Sequence, residues 1–184
     1  MKIVLIFVLY LLLCTKVFSS VTEDIILKFN KIENFKFKFI QTISGKDEKG
    51  ECIILYPKKI NCKYQLRFNK ILISNGSSLV IKSEKNNQYY RYPLENTPLN
   101  LLLDKKFLIR KMKKLEAKIL NNKYYLFSLK ENNNSINLFF EKESLNLTGW
   151  QTEDIYQNLT ITYIYDVEIN KPVSKKIFEL PKLN

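Results

Sequence analysis

Histidine is absent from the 184 residues. Without imidazole the chain has neither the commonest metal ligand nor the usual general base of a hydrolytic triad. Glycine occurs only four times, and no Gly-rich loop of the kind that cradles phosphate is present. The three cysteines, Cys14, Cys52 and Cys62, match neither a zinc spacing nor a CxxC redox pair. Neighbouring carboxylates, Glu153 with Asp154 and Glu141 with Glu143, fall in or beside predicted turns and read as solvated surface charge, not an acid/base pair. These absences argue against an enzyme, a metal site or a cofactor. Binding through apolar surface is the class that remains.

A linker rich in Gly, Pro or Ser is also missing, so one domain is expected. Beyond the N-terminus no stretch approaches the roughly 20 apolar residues of a membrane helix. At the N-terminus Lys2 precedes an unbroken apolar run over residues 3–14, and Val17-Phe18-Ser19 offers a signal-peptidase site. Residues 1–19 are therefore expected to be a cleaved signal peptide, and 20–184 an exported, soluble domain. Leu12 and Leu13 stand before Cys14 where a lipoprotein signal has small residues, which argues against lipidation.

Acid is in deficit. With Lys2 and Lys16 removed, 28 basic residues face 18 acidic ones, a net charge of +10. Such a surface attracts anionic membranes or acidic partners, although a composition rich in Lys, Asn, Ile, Tyr and Phe also places lysines on ordinary solvated strand faces. The basic residues are spread along the chain, which argues against nucleic acid. In an oxidising compartment Cys52 and Cys62 can pair across a hairpin. Two buried free thiols are the alternative, because cross-strand neighbours strain a disulfide.

What is present is mostly strand. Ser20 and Glu23 form a capping-box pattern before an apolar stripe of Ile25, Phe29 and Ile32, so a helix is expected to end near Asn34. From Phe35 the period becomes two: Phe35, Phe37 and Phe39 face one way, Lys36 and Lys38 the other. A turn is expected over 44–50, a strand over 51–56, a turn at 57–59, and a strand with Ile60, Cys62, Tyr64, Leu66 and Phe68 inward. Asn75-Gly76 is a hairpin signal between strands at 71–74 and 78–82, and another strand is expected at 88–92.

Then the pattern changes. Thr97 can cap a helix, Pro98 suits its first position, and Leu99, Leu102, Leu103 and Phe107 share one face while Asn100, Asp104, Lys105 and Arg110 are left for solvent. The helix extrapolates through Met112, with strand returning near Lys113. Further strands are expected at 123–130, 135–142, 145–153, 158–167 and 175–180. The strand at 158–167 carries Leu159, Ile161, Tyr163, Tyr165 and Val167 on one face. The fold class is mainly β, a wide curved antiparallel sheet forming an incomplete barrel covered by short amphipathic helices. Two short helices cannot cover all of it; a second layer or a cavity fills the rest.

The ordered segments FKFKFIQ (35–41), PKKINCKY (57–64), the Asn-Gly hairpin, TPLNLLL (97–103), GWQTED (149–154) and FELP (178–181) resemble the LolA family of periplasmic outer-membrane lipoprotein carriers. The resemblance covers essentially the whole of residues 20–184. It implies an incomplete barrel whose apolar interior receives lipoprotein acyl chains beneath a helical lid. The implied lining is Phe35, Phe37, Phe39, Ile60, Tyr64, Leu66 and Trp150; the implied lid residues are Leu99, Leu102, Leu103 and Phe107. Implied partners are lipoproteins, an inner-membrane ABC-type lipoprotein-releasing complex and an outer-membrane acceptor lipoprotein, met by a monomer in the periplasm. An acceptor of the same fold (LolB-like), or an exported module that binds another lipid or a protein segment, stays open. One departure stands out: family members carry Arg before the proline of the second segment, where it latches the lid. This chain has Tyr56, with one donor in place of several.

Overall fold

The computed structural model describes residues 20–65, 69–83, 85, 88–131, 134–153 and 159–182. The expected signal peptide with Cys14, and also Leu66, Phe68 and Asp154, lie outside them. Helix α1 (Val21–Asn30) begins on the predicted capping box, with the Ser20 hydroxyl accepting from the Glu23 N–H and the Glu23 carboxylate from the Ser20 N–H, each at 3.2 Å. It buries Ile25, Ile26 and Phe29 and stops at Asn30, short of the expected Asn34.

Eleven antiparallel strands form one sheet. β1 (Asn34–Ile43), β2 (Lys46–Leu55), β3 (Lys59–Tyr64), β4 (Lys70–Asn75), β5 (Ser78–Ser83) and β6 (Gln88–Pro93) make one meander. β7 (Lys118–Leu120), β8 (Tyr124–Glu131), β9 (Asn134–Glu141), β10 (Leu147–Glu153) and β11 (Leu159–Ile169) make the second. The spatial order is β6-β5-β4-β3-β2-β1-β11-β10-β9-β8-β7, so β1 and β11 pair at the centre while the edges β6 and β7 stay unjoined. A sheet of this width curls, and the result is an incomplete barrel.

β1 sets the inner face. Phe35, Phe37 and Phe39 are each no more than 2 % exposed, whereas Lys36 and Lys38 lie outside. Opposite Phe39 stands Gly50; a Cβ there would come within 2.8 Å of the Phe39 ring and 2.3 Å of the Lys63 carbonyl oxygen. The β1–β2 turn is only Ser44-Gly45, both at positive φ, not the expected 44–50. Lys46 to Glu51 is polar at every position but Gly50, a pattern that mimics a loop, yet it pairs residue for residue with Lys38 to Ile43 of β1.

The structure decides one open face and corrects two expectations. The apolar face of β11 is the outer one: Phe39 pairs with Ile164 and Gln41 with Thr162, so Thr162 and Ile164 are buried while Ile161 and Tyr163 are 43 % and 50 % exposed. Residues 175–180 form no strand but a 3-10 turn (Lys175–Phe178) packed on the outer face of β3 and β4. There the Asn61 amide donates to the Ile177 carbonyl, and Phe178, Ile73 and Val80 are buried. Strand resumes after the helices at Lys118, not near Lys113, because residues 113–115 turn first.

Between the two meanders the chain makes α2 (Leu99–Leu103) and α3 (Lys105–Met112) on the inner side of the sheet, so the described residues hold three α-helices where two were expected. Asp104 separates them: its carboxylate accepts from the Phe107 N–H at 3.0 Å, capping α3. Thr97 does not cap α2. Its hydroxyl donates backwards to the Leu94 carbonyl at 2.8 Å, closing a 3-10 turn (Leu94–Asn96). Leu101 and Leu108, outside the expected stripe, are buried with Leu102, Leu103, Phe107 and Met112.

Candidate functional site

The concave side of the sheet has a closed end and an open end. At the closed end the rings of Phe29, Phe35 and Tyr56 meet at centroid distances of 6.0 to 6.1 Å, and Phe35 stacks on Phe37 at 5.0 Å. Phe127, Phe140 and α1 complete this part. Phe35 and Phe37 are buried here, as are Leu102 and Leu103 at 0 % exposure and Phe107 at 7 %, and none of them is on the wall of the open end.

The open end is a cavity of about 340 Å³. Phe39, Ile60, Tyr64 and Trp150 of the expected lining are on its wall, and Leu99 with Pro98 brings the start of α2 to its rim. Ile43, Leu72, Leu79 and Ile81 add apolar surface. Cys52 and Cys62, directly paired across β2 and β3, are joined as a disulfide with Cα atoms 4.1 Å apart, and this bridge is also part of the wall. Among the described residues no group of three or more His, Cys, Asp or Glu side chains is placed to hold a metal ion.

One strip of the wall is polar. Tyr64 donates to the Gln41 side-chain oxygen at 3.0 Å, and the Gln41 amide donates to the Thr162 hydroxyl at 3.0 Å. Lys70 lies 4.2 Å from the centre of the Tyr64 ring and pairs with Glu48 at 2.5 Å. Burial, and then the Glu48 carboxylate, push the Tyr64 phenol above its ordinary range. Gln41 was legible as the last residue of the alternating FKFKFIQ segment. Thr160 and Thr162, which line the cavity from β11, were not, because alternation alone does not say which face of that strand is inner.

Tyr56 does not act as an arginine-like latch. Its hydroxyl oxygen is buried without a hydrogen-bond partner, and burial raises its pKa. The cover is fastened by other groups. The Lys58 N–H donates to the Leu103 carbonyl at 2.9 Å. The Lys105 ammonium donates to the Asn30 and Ile32 carbonyls at 2.9 and 2.7 Å, and sits 5.4 Å from the centre of the Tyr56 ring. Lys105, expected in solvent, thus ties α3 to the end of α1, and partial burial lowers its pKa.

An incomplete barrel with an apolar, helix-rimmed hollow defines a binding protein for hydrophobic chains or segments. A model of the family described as "Outer membrane lipoprotein carrier protein LolA" matches residues 30–181, and the chain belongs to this family. Solved structures similar to it include a LolA superfamily protein from Nitrosomonas europaea, at 10% identity and a TM-score of 0.47, covering 88% of this chain and 99% of that one. A DUF1329 family protein from Desulfovibrio piger is similar at 8% identity and a TM-score of 0.47, over 88% and 98% of the two chains. The Mycobacterium tuberculosis lipoprotein LppX is similar at 8% and 0.42, over 83% and 95%. No curated protein matches the chain.

Proposed function

We propose that this protein is a periplasmic carrier that takes the acyl chains of lipoproteins into the cavity beside α2 and moves them between membranes. The observation that carries this reading is the hollow itself, walled by Phe39, Ile60, Leu79 and Trp150 and rimmed by Leu99. Each methylene buried there contributes about 0.8 kcal/mol, so a lipid anchor is held without covalent chemistry. The volume of about 340 Å³ is at the small end of ligand sites, roughly 300 to 1,000 Å³. A cargo with several acyl chains needs more room, and displacement of α2 is what would supply it. Net affinity is then the difference between burying cargo and unburying the cover.

The test is a synthetic triacylated lipopeptide, presented in detergent below micelle concentration and followed by co-elution with the protein. Parent protein is expected to carry it. Ile81→Glu, which sets a charge in the wall from a partly exposed position, is expected to lose at least tenfold in affinity while its denaturation midpoint holds. Equal binding by folded Ile81→Glu protein would falsify the reading. Binding of a single-chain fatty acid or an extended peptide in preference to the lipopeptide would move the assignment to another lipid or to a protein segment. The same purified protein carrying an acylated Cys14 would identify the acceptor instead.

A further inference from the structure

The cavity leaves unexplained the concentration of charge on the cover. Residues 105–118 hold seven basic side chains and one acidic one, Glu116. Lys105 and Lys111 are engaged, the first with the Asn30 and Ile32 carbonyls and the second with Glu131. Lys106, Arg110, Lys113, Lys114 and Lys118 are exposed. Among them stand two large apolar side chains that the fold leaves in solvent, Leu115 at 38 % and Ile119 at 60 % exposure. Ile119 pairs with Tyr125, which lies on the same face of β8 as the inward Phe127 and Leu129. Its side therefore belongs to the helix-covered face of the sheet, at the open β7 edge. A third exposed apolar residue, Leu27 at 60 %, is on α1, which packs beside α3.

We propose that the outer side of α3 and the loop at 113–119 form a docking surface for an anionic phospholipid bilayer. Basic side chains meet lipid phosphates by Coulomb attraction, and their long apolar stems let neighbouring Leu and Ile enter the headgroup boundary. An anionic bilayer supplies both the charge and the apolar layer that exposed leucine and isoleucine set among lysines match. A second exposed apolar group on the outer face of β11, which includes Ile161, Tyr163, Val167 and Ile169, stands beside Thr42, Gln151 and Glu153, and there Lys38 is paired with Asp166. This surface is independent of which cargo the cavity accepts.

The test is flotation of the chain beginning at Ser20, which contains every described element, with vesicles of phosphatidylcholine alone or with about one third phosphatidylglycerol. The chain is expected to float with the anionic vesicles only, and to be released as added salt shortens the Debye length to a few Å. Lys113→Gln with Lys114→Gln is expected to weaken partition roughly tenfold or more, and Leu115→Ser with Ile119→Ser several-fold. Ile161→Ser with Tyr163→Ser is expected to leave it unchanged. All of these positions are exposed, and circular dichroism checks that each variant is folded. Absence of flotation, equal flotation with neutral vesicles, or sensitivity at 161 and 163 in place of 113–119 overturns the proposal. Lipopeptide binding measured on the same variants without vesicles should equal the parent's, so failure of this surface and failure of the cavity are read separately.

Discussion

Tyr56, at the closed end, and Tyr64, on the cavity wall, are two phenols with opposite accounts. The Tyr56 hydroxyl has no partner, so Tyr56→Phe removes a desolvated group that nothing compensates. It is expected to leave stability unchanged or raise it by up to about 1 kcal/mol in denaturant unfolding. Tyr64 donates to Gln41, and Tyr64→Phe is expected to cost about 1 kcal/mol by the same measurement. Both phenols are held above their ordinary range, which couples them to pH. Above about pH 10 the unfolded chain gives up these protons and the folded chain keeps them. Stability contributed by this difference is complete below that pH and declines as pH rises beyond it. Denaturant midpoints between about pH 9 and pH 11 should fall in the parent and fall less in the doubly substituted Phe chain. At Gly50 the sign is fixed by space: a methyl group meets the Lys63 carbonyl and the Phe39 ring, so Gly50→Ala is expected to destabilise by about 2 kcal/mol.

The elements show what a sequence can and cannot disclose. The capping box at Ser20 and the alternation of β1 are local patterns with local causes, and they were legible. Asp104 was legible in principle, as an N-cap residue before a second apolar stripe, but the leucines on either side read as one continuous helix. For β11 alternation reports two faces and not which is inner. Only the register with Phe39 and Gln41 on a strand more than a hundred residues away decides that. Within the cover, the tie that residue spacing could not reveal is Lys105. Lys105→Met keeps the stem and deletes the two bonds to α1. It is expected to lower stability by about 1 kcal/mol. Because a looser cover is easier to displace, it should also bind a fluorescent acyl probe about fivefold more tightly, measured by titration.

For the molecule as a whole, the disulfide and the central pairing matter most. Cys52 and Cys62 close a loop across one hairpin, ten residues apart in sequence, and the Cys52→Ser/Cys62→Ser chain is expected to lose about 2 to 3 kcal/mol. Thermal unfolding with and without reductant checks this, and the doubly substituted chain should not respond to reductant. Among the described residues the two meanders are hydrogen-bonded to each other where residues 34–43 lie against 159–169. Any chain that stops short of residue 159 leaves β1 with an unpaired flank and breaks the sheet into two pieces, each with hydrogen-bonding groups open along a newly bared border. Such pieces carry complementary seams, so fragments divided at the loop after α3 should find one another and rebuild the hollow when mixed. The tail of the polypeptide thereby acts as its own certificate of completion: until it arrives, there is no container to load.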